Sequence, residues 1–209
     1  MSSFNPLDIQ NLAHSMVTRM EETAGVGLDD VPKFEGAGIY ALYYTGTFPA
    51  YRRIAQANAE ELRDPIYIGK AVPSGGRRGV TVSAGPTYAL NKRLADHAKS
   101  VLAAENLDID DFKVRWLVVE DIWIPLGESA MLRRYQPVWN ALVDGFGNHH
   151  PGKGRINGIR SLWDTVHPGR SWAPQFPPRP DSAAEIEQKI EKYLESRDIP
   201  QWRTWKFYD

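Results

Sequence analysis

Not one of the 209 residues is cysteine, so disulfides and thiolate metal sites are excluded from the outset. That lack fits a reducing compartment, and the cytoplasm is the expected location. Long apolar runs are missing too. No stretch approaches the roughly 20 residues that cross a bilayer, so no membrane partner is expected. The opening Met1-Ser2-Ser3-Phe4-Asn5 has neither the basic stretch nor the apolar run of a signal peptide. An excess of one charge is also lacking: 25 Lys and Arg stand against 26 Asp and Glu. Bulk charge therefore does not announce a nucleic-acid binder, and any such surface must come from local segregation.

What is present suits one substantial domain. Hydrophobic residues make up 42%, charged residues 24% and aromatics 11%, with seven Trp available to a core. A helix is predicted after Asn5 as cap and Pro6 in its first turn, with Leu12, Met16 and Met20 recurring beside Ala13 and Val17. Gly38 to Tyr44 is dense in β-formers and stops at Gly46. Residues 50–63 read as a mostly polar helix ended by Asp64-Pro65, and Ile66-Tyr67-Ile68 as a short strand. A Gly/Pro/Ser-rich loop runs from Val72 to Thr87. A helix over 88–104 carries Leu90, Leu94, Val101 and Leu102 along one face, a third strand follows at 114–119, and a helix spans about 126–135 before Pro137. Residues 144–180 read as irregular, and the last helix, about 181–196, as charged and solvated. No internal repeat is visible.

Two tripeptides stand out, Gly38-Ile39-Tyr40 and Tyr67-Ile68-Gly69, each on a predicted strand. Arg93 and His97 follow on the next helix, Glu128 on the helix after the third strand, and Asn140 just beyond. In this order the six residues resemble the GIY-YIG nuclease superfamily over about residues 36–141. The resemblance implies an α+β fold: a small three-stranded antiparallel sheet flanked by helices. It also implies one domain, made of an N-terminal helical extension (1–35), a catalytic core (36–141) and a C-terminal extension (142–209). Tyr40 and Tyr67 are further apart than in compact members, so 47–64 reads as an insertion, and the loop 72–87 looks like another. Such elaboration is similar to the type II restriction endonuclease branch. It implies a sequence-specific, metal-dependent double-strand DNA cutter.

Hydrolysing a phosphodiester needs a deprotonated water, a sink for phosphate charge and help for the leaving oxygen; Mg²⁺, or Mn²⁺, supplies the sink. Glu128 is the expected metal ligand, a hard oxygen donor; otherwise it is an acid suited to a helix first turn. Arg93 and His97 are four apart and share a helical face, where a guanidinium at the edge of an apolar stripe needs an anion. A phosphate meets that need, as would an ion pair with Asp96 or Glu128. The resemblance makes Tyr40 the general base, which requires its pKa to be lowered by Arg93, the metal or His97; His97 could relay the proton. Tyr67 orients water or phosphate, unless it is a packing residue. Asn140 steadies the phosphate or a catalytic neighbour by its amide, or is an ordinary turn residue.

Beyond these six, Lys70 adds positive charge beside the second half-motif. Arg77 and Arg78 in one glycine-rich loop, and Lys153, Arg155, Arg160 and Arg170 further on, are the candidate DNA contacts, some reading bases and others phosphates. A solvated basic loop is the alternative. His149-His150 is discounted as a zinc site, because adjacent histidines diverge and no second pair has ligand spacing. The restriction-branch resemblance implies a short GC-rich palindrome. A homodimer is expected, since one metal site cuts one strand and a two-fold axis supplies two. The apolar face of the first helix, residues 50–63 and the Trp-rich segment 163–172 are the expected interface material. A repair or structure-specific nuclease, a non-catalytic DNA binder and a structural interaction protein remain the alternatives.

Overall fold

The computed structural model describes residues 8–73, 86–148 and 158–197. Its central element is β2 (Gly38–Tyr44), with all seven residues buried. Side chains alternate along a strand, so β2 feeds two cores. Ile39, Ala41 and Tyr43 meet Ala13, Val17 and Met20 of α1 (Ile9–Glu22), and Ala130 and Met131 of α4 (Ile124–Tyr135). Tyr40, Leu42 and Tyr44 point the other way, into a cluster with Leu90, Leu94 and Val101 of α3 (Ala89–Ala103). That double burial is why the strand reads as an almost unbroken apolar run.

The expected antiparallel trio is present: β3 (Pro65–Ala71) and β4 (Phe112–Val118) flank β2, with Tyr40 opposite Gly69 on one side and Trp116 on the other. A fourth strand extends the sheet. The two-residue β1 (Val26–Gly27) pairs with β4, giving the order β1-β4-β2-β3. Two residues carry no alternation to read, so this edge was invisible in the sequence.

Four expectations need correction. Asp8 caps the first helix, its side chain accepting from the Gln10 amide at 3.0 Å, while Asn5 and Pro6 lie outside the described residues. Leu102 does not join the buried face of α3; it is 63% exposed, one position past Val101. The polar stretch at 50–63 forms only a single 3-10 turn (Pro49–Tyr51) and the short α2 (Arg52–Ala57), then turns back at Asn58. Asn58 closes that return with its own amide, donating to the carbonyls of Tyr44 and Asp64 and accepting from the Arg63 and Asp64 amides.

The fourth correction concerns the last helix, α7 (Ala183–Ser196), which is not solvated all round. Ile186, Ile190 and Leu194 recur every four residues and are buried in the cluster that holds Ala50, Tyr51 and Ile54. Insertion and C-terminal helix thus cover each other's apolar residues. A start is well marked: Ser182 caps α7 and Glu185 returns a bond to the Ser182 amide.

The stretch after residue 158 also holds more order than expected. The short α6 (Leu162–Val166) buries Trp163, and His167 just after it has no exposed surface. A chain of bonds fixes that imidazole: Trp139 Nε1 donates to Tyr51 Oη at 2.8 Å, Tyr51 Oη meets His167 Nε2 at 2.7 Å, and His167 Nδ1 meets Asn106 Oδ1 at 2.9 Å. Asn106 donates its Nδ2 to the Val166 carbonyl, so its oxygen is the end that faces His167 and Nδ1 carries the proton. Burial, with the Arg170 charge adding to it, pushes the His167 pKa down to about 3 from the ordinary 6.5.

The folded state therefore holds His167 neutral, while the unfolded chain takes up a proton as pH falls through about 6.5. Stability is intact above that pH and is lost progressively toward pH 3. Between pH 7 and 4.5, unfolding by urea should show a loss in wild type larger by about 2–3 kcal/mol than in His167→Gln. Equal losses in the two proteins would place the acid sensitivity elsewhere.

Candidate functional site

Strand alternation sends Tyr40 toward α3, and helical spacing brings Arg93 and His97 of α3 to meet it. Tyr40 Oη lies 2.5 Å from His97 Nε2, and Arg93 Nε donates to the same phenol oxygen at 3.3 Å. Tyr40 is wholly buried and His97 is 2% exposed. With His97 protonated at Nδ1, Tyr40 donates to Nε2 while accepting from Arg93.

Tyr67 stands on the outer side of this pair. It is half-buried, its ring is tilted 43° to that of Tyr40 with centroids 6.2 Å apart, and it meets His97 edge-on. Its hydroxyl interacts with Tyr40 and Arg93. The anion expected beside Arg93 is thus neither Asp96 nor Glu128. Two phenols and a backbone carbonyl, that of Gly147 at 3.1 Å from Nη2, orient the guanidinium.

Electrostatics depart from expectation at Tyr40. Burial pushes its phenol well above the ordinary tyrosine range, the neighbouring Tyr67 adds to the rise, and Arg93 opposes without prevailing. Tyr67 is raised as well, by burial first, with Arg93 working against it and the Glu128 charge adding a smaller rise. Two phenols side by side cannot both shed protons cheaply in a low-dielectric site. The chain alone therefore holds Tyr40 protonated, with His97 Nε2 2.5 Å from its hydroxyl as a short route for the proton.

Gly69, the glycine of the second half-motif, has a steric cause. A Cβ there would fall 2.3 Å from the Tyr40 hydroxyl oxygen, so a side chain would displace the phenol. Asn140, on the short α5 (Val138–Ala141), serves the same half-motif from outside. Its Oδ1 accepts from the Ile68 amide and its Nδ2 donates to the Ile68 carbonyl, both at 2.8 Å. β3 is an edge strand, and the Asn140 amide satisfies that edge as a neighbouring strand would. These contacts brace the backbone of Ile68, between Tyr67 and Gly69, and not a catalytic side chain.

Glu128 on α4 forms an ion pair with Lys70 of β3 at 2.6 Å, with the carboxylate 19% and the lysine 41% exposed. Lys70 thus lies at the site, engaged with the acid. Among the described residues no group of three or more His, Asp or Glu could hold a metal ion. A magnesium ion needs no such cage: it keeps several waters and takes one or two carboxylates with the substrate phosphate. A single accessible carboxylate at this place fits that habit.

Two residues of the site gave no signal in the sequence. Phe146 stacks on His97, ring centroids 4.5 Å apart and 11° from parallel, and Gly147 supplies the carbonyl that holds Arg93. A Cβ on Gly147 would lie 2.9 Å from both Arg93 Nη2 and the Tyr67 hydroxyl. Gly145-Phe146-Gly147-Asn148 reads locally as turn chemistry, and nothing in its composition places it against α3.

The basic candidates divide. Arg77, Arg78, Lys153 and Arg155, like His149 and His150, lie outside the described residues. Arg160 is half-buried and gives its Nε to the Ala173 carbonyl at 3.3 Å. Arg170 is corrected outright: it is 4% exposed and paired with Asp164 at 2.6 Å, so it does not face DNA. Its guanidinium lies over Trp163 and Trp172, which gave the segment its basic, aromatic look.

The chain matches a protein-family model, the Eco29kI GIY-YIG domain, over residues 32–194. No curated protein matches it. If Asn140 serves β3 as its contacts indicate, Asn140→Ala should speed hydrogen exchange of the Ile68 amide by roughly five- to tenfold, the worth of one hydrogen bond. Unchanged protection of that amide in an NMR exchange series would remove Asn140 from this role.

Proposed function

The chain belongs to the Eco29kI GIY-YIG domain family, and on that premise we propose that it is a divalent-metal-dependent endonuclease of the restriction type, cutting double-stranded DNA at a short specific site. The observation that carries this reading is the convergence of Tyr40, Tyr67, Arg93 and His97 on one hydrogen-bonded group, with Glu128 within electrostatic reach of Tyr67.

Tyr40 is the group that accepts the proton of the attacking water. Because its phenol is raised, it acts by handing its own proton to His97 Nε2 as it receives one, so no free phenolate accumulates. Tyr67, half-buried beside the buried Tyr40 and bonded to it through its hydroxyl, orients the attacking water. Arg93, held by Tyr40 and Gly147, presents a fixed positive charge to the scissile phosphate. Glu128 would hold Mg²⁺ or Mn²⁺, which supplies charge neutralisation at the phosphate and the leaving oxygen. Lys70, paired with Glu128 at 2.6 Å, would add its charge beside the phosphate.

Cutting both strands of a short GC-rich palindrome calls for two such sites, and a homodimer places them by symmetry. The surfaces expected for that interface are largely used inside the chain: Ala13, Val17 and Met20 pack on α4, Tyr51 and Ile54 against α7, and Trp163 in the core. Ile122 and Trp123, 73% and 40% exposed just before α4, are apolar material left for a partner copy. Base reading falls to the arginines on the glycine-rich segments, Arg77, Arg78, Arg155 and Arg160, and phosphate contact to Lys153.

A supercoiled plasmid library digested with Mg²⁺ or Mn²⁺ tests the proposal: discrete bands support a restriction enzyme, nicking or a smear a different nuclease. Glu128→Gln should abolish cleavage while DNA binding stays within about tenfold, because a neutral amide is a poor Mg²⁺ ligand of the same shape. Cleavage by that variant above a few per cent of wild type in saturating Mg²⁺ would show that the ion is held elsewhere.

A further inference from the structure

Arg170 is remote from the phenols, yet its contacts converge on the turn that touches them. Its Nε donates to Asp164 Oδ1 at 2.6 Å, Nη2 to the Gly145 carbonyl at 2.9 Å, and Nη1 to the carbonyls of Phe146 at 3.1 Å and Asn148 at 3.4 Å. Asp164 is itself held, accepting from Ser161 Oγ at 2.6 Å, and the α6 start is stitched to the turn through Asp144, which accepts from the Leu162 and Trp163 amides. The guanidinium sits 4.4 Å and 4.5 Å from the centroids of Trp163 and Trp172, and Trp163 packs on Phe146 at 5.4 Å.

A short turn rich in glycine has little of its own to fix it, and its carbonyls need partners when water is excluded. Arg170 meets that need at three carbonyls of one turn, a fork that only a planar guanidinium supplies. The turn then delivers two contacts to α3: the Phe146 ring flat against His97 and the Gly147 carbonyl on Arg93. We propose that Arg170, buried against Asp164, is a positioning residue of the active site, setting the orientation of His97 and Arg93 through the 145–148 turn. Its catalytic consequence rests on the endonuclease reading; its geometric consequence does not.

Two arms keep these apart in the full-length protein. In the first, NMR follows the Arg93 Nε–H and His97 imidazole signals without DNA or metal. Arg170→Met should shift or broaden both, and Phe146→Leu should perturb the same His97 signals. In the second, single-turnover cleavage of plasmid DNA in Mg²⁺ is compared with DNA affinity. Arg170→Met should slow cleavage roughly ten- to a hundredfold, the cost of misplacing a catalytic group by about an ångström, with affinity changed less than threefold. Arg170→Met and Gly147→Ala combined should cost little more than the worse of the two, since both act through one turn. Should Arg170→Met fail to fold, Arg170→Lys carries the test, because it keeps the charge beside Asp164 but cannot bridge three carbonyls. Unmoved Arg93 and His97 signals in a folded variant would overturn the proposal. A wild-type protein that cuts no DNA while those signals do move would overturn the endonuclease reading and leave the positioning role standing.

Discussion

The hydrogen bond between Tyr40 Oη and His97 Nε2, 2.5 Å long and closed off from solvent, constrains much of what surrounds it. It requires β2 to present its even-numbered residues to α3, which excludes a one-residue slip of the strand against β3 and β4. It requires a residue without a side chain opposite Tyr40, and Gly69 is there. His97 in turn needs its ring held at one angle, and Phe146 stacks on it almost in parallel. Each of these parts is ordinary alone. Together they put a phenol whose proton burial makes hard to lose against the imidazole of His97.

The peripheral segments serve that arrangement more than they decorate it. The insertion between β2 and β3 and the C-terminal helix α7 cover one another, and with them the Tyr40 side of the sheet. Asp64, at the end of the insertion, is buried and paired with Arg197 just past α7, a buried charge that would be expensive if left alone. On the opposite face, Glu21 of α1 is paired with Arg134 of α4, which carries Glu128 one turn and a half earlier. Polar groups buried in this manner favour one packing over its neighbours, because any slip leaves a charge or an amide without its partner.

The central sheet was legible in the sequence because strand alternation is a local code, whereas the six candidate residues were singled out by their resemblance to a family pattern. Gly38-Ile39-Tyr40, Tyr67-Ile68-Gly69, Arg93 with His97, and Glu128 sit on elements whose pattern could be read; Asn140 sits on the four-residue α5, too short to show one. What escaped reading was set by distant partners. Arg170 resembled a nucleic-acid contact because composition does not say whether a guanidinium faces phosphate or an aspartate and three carbonyls. Phe146 and Gly147 lay in a turn that nothing local ties to α3. The stripe of Ile186, Ile190 and Leu194 was present all along, but three apolar residues in a charged helix declare a buried face only once the insertion that meets them is known. The rise in the Tyr40 pKa was likewise a property of burial, which no residue pattern states.

The account stands on Tyr40 and His97 acting as one proton-transfer unit. A double-mutant cycle on single-turnover DNA cleavage in Mg²⁺, with Tyr40→Phe, His97→Asn and the pair combined, measures this most directly. If the two form a unit, each single change should cost roughly two to four orders of magnitude and the double should cleave within about threefold of the slower single. A double whose loss is the product of the two single losses would mean that Tyr40 and His97 act independently, and would contradict the account.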